Sequence, residues 1–136
     1  MNSNLIFPMF AMFALSAVVL IRMFLTRVAA VKSGQVKLHY FKVYQSEEIP
    51  EKMLQASRHF SNLFEAPVLF YVICILGILF QEGRVFVGLA WVYVAARAAH
   101  AYIHLGSNRV MHRMRAYGLG WLVLTAMWLL LLWHQL

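Results

Sequence analysis

The first 21 residues, Met1–Ile21, carry no charged side chain, and three further uncharged runs follow at Ala66–Gln81, Val85–Ala96 and Ala116–Leu136. A hydrocarbon core about 30 Å thick is crossed by about 20 helical residues at about 1.5 Å each. Runs of this kind commit the chain to lipid. The second and third are short alone, but each continues as helix past an isolated charge, Glu65 in one and Arg97 in the other. The expectation is an all-α integral membrane four-helix bundle, a single domain over residues 1–136 with spans at approximately 5–25, 57–81, 85–105 and 115–134. Nothing basic precedes the first run, so a retained span is expected there rather than a secretory signal.

Composition agrees: 62% of the 136 residues are hydrophobic and 12% charged, about half the charged share of a soluble domain. The formal net charge of +7 does not mark a nucleic-acid binder, because the basic residues lie in loops and helix ends and leave no basic surface. One cysteine, Cys74, inside an apolar run, excludes a disulfide framework and a CxxC motif. Turn residues punctuate the spans at Ser33-Gly34, Gln81-Glu82-Gly83 and Gly106-Ser107-Asn108, and Ser46–Glu51, with Pro50, reads as a helix start. The segment 28–46, with Lys32, Lys37 and Lys42, reads as a solvated loop.

Basic residues set orientation. Arg27, Lys32, Lys37, Lys42 and Lys52 follow the first span, and Arg109, Arg113 and Arg115 lie in the third connection. Both connections are expected in the cytoplasm and both termini outside it.

Charges inside spans are costly and mark functional sites by default. Arg58, Asn62 and Glu65 stand at i, i+4 and i+7. Arg97, His100 and His104 stand at i, i+3 and i+7, and Arg109, Arg113 and Tyr117 are four apart. Each trio shares one helix face, and counting residues from the loops sets all three toward the basic side, where they can line one cavity. Blander readings stand beside this one: Arg58, Asn62 and Glu65 as a structural clasp, and the third-connection arginines as interfacial residues. His100 and His104 lack a third ligand at metal-site spacing, so no metal is expected. His39 and His134 read as exposed.

The run Arg58-His59-Phe60-Ser61-Asn62-Leu63-Phe64-Glu65-Ala66-Pro67, with Arg97-Ala98-Ala99-His100 and Arg113 followed four residues on by Tyr117, resembles the signature of the membrane-associated proteins in eicosanoid and glutathione metabolism. The resemblance is to a bacterial-type member and covers nearly the whole chain. It implies a homotrimer in membrane lipid, in a bacterial inner membrane, with glutathione held between neighbouring subunits near the cytoplasmic side. Carried over by position, Arg58, Asn62, Glu65 and Arg97 would hold the tripeptide, with His100 and His104 beside them. Arg113 would face the thiol, and Tyr117 would stand one turn on. The implied activity is a transferase or peroxidase acting on a lipophilic electrophile or lipid hydroperoxide. The chain departs from the family's prostaglandin synthases at Ser61, where they carry a basic residue, and at His104, where they carry tyrosine. The family also includes a non-catalytic member that presents a lipid to a partner membrane enzyme, so an accessory lipid-binding role is the rival reading.

Overall fold

A computed structural model describes residues 3–44 and 48–136. After a 3-10 turn at Ser3–Leu5 come α1 (Ile6–Lys32), α2 (Tyr40–Val43), α3 (Glu51–Asn62), α4 (Ala66–Leu79), α5 (Arg84–Leu105) and α6 (Val110–Gln135). Among the described residues there is no strand. Four stretches are long and apolar enough to cross a membrane, namely α1, α5, α6 and the combined length Glu51–Leu79 of α3 and α4. The chain is an all-helical integral membrane protein whose long helices suit a four-helix bundle.

The core is a narrow seam. Leu5, Met12 and Val19 are buried at seven-residue steps, the spacing at which helical side chains return to one stripe. They meet Phe70, Ile73 and Cys74 of α4, Phe86, Ala90 and Tyr93 of α5, and Leu124, Met127 and Leu131 of α6. Outside that stripe α1 exposes Phe7, Phe10, Phe13, Ile21 and Phe24, which is the surface a lipid-facing helix presents. Lipid tails are as apolar as leucine, so burial alone drives little helix association and steric fit decides. Gly77 shows the fit at its tightest. A Cβ there would lie 2.5 Å from Phe86 Cε1 and 2.9 Å from Leu5 Cδ1, so any larger residue must push the Phe86 ring or the Leu5 tip aside.

The second span differs from a continuous helix over 57–81. It begins at Glu51 and breaks at residues 63–65. Pro67 lies in the first turn of α4; it has no N–H to donate, and its ring would clash with the carbonyl four residues back. The chain crosses the break through tighter bonds, Phe64 N–H to the Ser61 carbonyl at 3.0 Å and Glu65 N–H to the Asn62 carbonyl at 3.3 Å.

The turns fall where turn residues stand, though not always on the glycine. Gly34 takes a positive φ of 73°, but in the next two turns it is Gln81 and Asn108 that do so. The segment 28–46 is helical through Lys32 and carries a small core of its own, Val36 and Tyr40 against Ala30 and Met53. Lys32, Lys37 and Lys42 are exposed. Of the expected helix start, Ser46 and Glu47 lie outside the described residues, and α3 begins at Glu51 with Pro50 preceding it.

At the end opposite the basic loops, Glu82 is 3% exposed and pairs with His134 Nδ1 at 2.8 Å. This fastens the last turn of α6 to the α4–α5 turn. His134 is exposed, as its terminal position suggests, but it is engaged; His39 is also exposed.

Candidate functional site

Three helices bring their polar faces to one cavity of about 330 Å³, lined by Arg58, Asn62, Glu65, His100, His104, Arg113, Met114 and Tyr117. A second hollow of about 250 Å³ adjoins it, sharing Arg58, His104 and Arg113 and reaching Gln55 and Asn108. Small-molecule sites commonly occupy about 300–1,000 Å³.

Asn62 and Glu65 arrive from either side of the break rather than along one helix face. The turn that Pro67 enforces still leaves them adjacent, with Asn62 Nδ2 donating to Glu65 Oε2 at 3.3 Å. From behind, Arg97 Nη2 donates to Asn62 Oδ1 at 2.5 Å. Arg97 is the largest fully buried side chain among those described, and its Cζ sits 5.6 Å from the centre of the Tyr117 ring. It therefore does not line the cavity and reaches it through Asn62. Because Arg97 occupies Oδ1, the amide's nitrogen is turned toward Glu65. The arginine fixes which way the asparagine faces.

Arg113 is held from the loop before α6. Its Nη1 donates to Asn108 Oδ1 at 2.8 Å, where Asn108 sits at the positive φ that ends the turn. Its own carbonyl lies 3.2 Å from His100 Nδ1; a carbonyl can only accept, so Nδ1 carries the proton and a neutral His100 leaves Nε2 as the acceptor. Tyr117 stands one turn further along α6, with its ring 5.7 Å from that of His100.

The charges in this cavity are not neutralised locally. Among the described residues the only ion pair within 4 Å is His134–Glu82, so neither Arg58 nor Arg113 is clasped by a carboxylate, and Arg58 and Glu65 do not pair. What remains is a cavity with two guanidinium groups, one carboxylate and two imidazoles. Arg109 and Arg115 are exposed and outside the lining.

Two contributors escape the trios. His59 is fully buried, with its ring 5.5 Å from that of His100 and 4.8 Å from that of His104, and neither of its nitrogens has a hydrogen-bond partner. Its signal in the sequence was a polar residue inside a span; grouping by i, i+4 and i+7 from Arg58 set it aside, because it lies on the adjoining strip of α3 that faces α5. Met114 lines the cavity as an apolar residue, and no charge pattern marks it. Among the described residues no three His, Cys, Asp or Glu side chains are arranged to hold a metal ion.

Fold and site define a four-span helical membrane protein with a polar, net-cationic cavity among α3, α5 and α6. A family model settles its kinship: residues 5–133 match that of the MAPEG family, and the chain belongs to that family. No curated protein matches it.

Proposed function

We propose that the protein is a glutathione-dependent membrane transferase or peroxidase acting on lipophilic electrophiles or lipid hydroperoxides. One observation carries the reading. The cavity presents Arg58 and Arg113 without carboxylate partners and Glu65 as its single acid, and the tripeptide offers the converse, two carboxylates and one ammonium. Guanidinium groups bind carboxylates in a two-pronged fork. On this reading Arg58, Asn62 and Glu65 hold the peptide, Arg97 orients Asn62, and His100 and His104 form the wall.

Bound glutathione supplies a thiol whose thiolate is nucleophile and reductant in such reactions. Arg113, tethered by one nitrogen to Asn108, has N–H groups to spare for negative charge at the thiol, and Tyr117 lies one turn away to support it. Assembly is a homotrimer with the tripeptide between neighbouring subunits, and the second substrate enters from the bilayer. The membrane is the inner membrane of a bacterium, with the basic connections cytoplasmic and both termini outside.

Calorimetry of the detergent-solubilised protein with glutathione, read beside thiolate ultraviolet absorbance, tests this. The expected result is saturable binding, a thiolate band and turnover of an electrophile or hydroperoxide. Absence of binding removes the ligand. Binding without thiolate or turnover replaces the enzyme with an accessory lipid-binding protein that serves a partner membrane enzyme.

A further inference from the structure

A second cavity, of about 450 Å³, lies at the basic end of α1 and shares no lining residue with the polar one. Its walls are apolar, Phe24, Leu38 and Phe41 among them, and its two charged lining residues are Arg27 and Lys32. Among the described residues no carboxylate lies within 4 Å of either cation. Arg27 is built in rather than loosely placed: its Cζ lies 5.6 Å from the Phe41 ring centre and 5.9 Å from that of Tyr44, and its Nε is buried with no hydrogen-bond partner. Two aromatic rings thus hold a guanidinium plane at the mouth of an oily groove.

Depth identifies the occupant. Counting from Ile6, the first helical residue, about 20 residues cross the hydrocarbon, so Arg27 and Lys32 come just past it, at headgroup level. Tyr40 and Tyr44 are the amphipathic aromatics expected at that depth. Leu38, 74% exposed, and Phe24, 62% exposed, give the groove an apolar lip on its open side. The groove therefore offers cations where phosphates lie and hydrocarbon surface where acyl chains begin.

We propose that this groove is a binding site for an anionic phospholipid of the surrounding leaflet, with its phosphate on Arg27 and Lys32 and an acyl chain along Phe24, Leu38 and Phe41. The site goes beyond the glutathione reading and stands or falls separately from it. Planar geometry makes Arg27 the specific element, because lysine carries the charge but cannot stack on two rings or present a fork.

The test uses the delipidated full-length protein in neutral detergent, titrated with fluorescent phosphatidylglycerol and competed by unlabelled phosphatidylglycerol, phosphatidylcholine or inorganic phosphate. The expected result is saturable binding near one lipid per chain, with phosphatidylglycerol competing at least tenfold better than phosphatidylcholine and phosphate not competing. Arg27→Gln and Arg27→Lys both weaken it at least fivefold, and Arg84→Gln, at the opposite end, leaves it unchanged. Leu38→Glu, a change at an exposed side chain that leaves the fold intact, also weakens it by setting a negative charge at the lip. Equal competition by the two lipids, displacement by phosphate alone, or full affinity in both Arg27→Gln and Leu38→Glu overturns the proposal.

Discussion

Arg113 and Arg115 are two residues apart, and about 200° of helix separates them. One lines the cavity and the other is exposed. Arg113→Ala is expected to lower glutathione-dependent turnover about 10²-fold, the usual loss for a positioned electrostatic donor, with binding changed much less. Arg115→Ala stays near wild type. Steady-state kinetics on both variants checks this, and equal losses would remove the special place of Arg113. Arg97 and Asn62 act as one unit in this geometry, so their effects do not add. Losing a charge-assisted contact costs about 1.5–3 kcal/mol, so on the proposed function Arg97→Ala is expected to weaken glutathione roughly tenfold or more. Asn62→Ala does about the same, and the double variant is little worse than either single one. Additive losses in calorimetry would mean that Arg97 meets the ligand directly. These side chains were legible in the sequence because charge inside a span is rare. The role of Arg97 as support was not, since helical spacing gives a face but not which residue on it stands in front. Nor could spacing find the Glu82–His134 pair, whose members are 52 residues apart.

At the level of elements, uncharged runs and turn residues marked four spans, and four long apolar stretches are present. The break at 63–65 was less legible. Pro67 announced a local loss of hydrogen bonding, but proline is tolerated in the first turn of a helix and also inside kinked membrane helices, so the residue by itself does not say which. The two halves on either side of the break have different partners, α3 at the polar cavity and α4 at the apolar seam. Gly77 gives this level its own test. Gly77→Val adds side-chain atoms where the nearest neighbour of a Cβ is already at 2.5 Å, and overpacking of that kind costs about 1–3 kcal/mol. The unfolding midpoint in detergent should fall clearly, whereas Gly88→Val, where a Cβ would meet nothing within 4 Å, should shift it little. Similar midpoints for the two variants would show that the seam relaxes around Gly77.

For the molecule as a whole, the distribution of basic residues is the orienting feature. A reporter fused within the 33–50 segment is expected to behave as cytoplasmic, and one fused after Leu136 as external. The reverse result in both fusions overturns the assignment.

The contact of Leu5 with Gly77 and Phe86 also sets a sequence of events. The turn that leads into α1 carries a side chain, Leu5, whose seat is made by residues synthesised more than 70 positions later. Until α4 and α5 are both made, that end of α1 has no seat, although its basic end can already pack on α3 through Ala30 and Met53. The turn at Ser3–Leu5 is thus made before the residues that lock it in place.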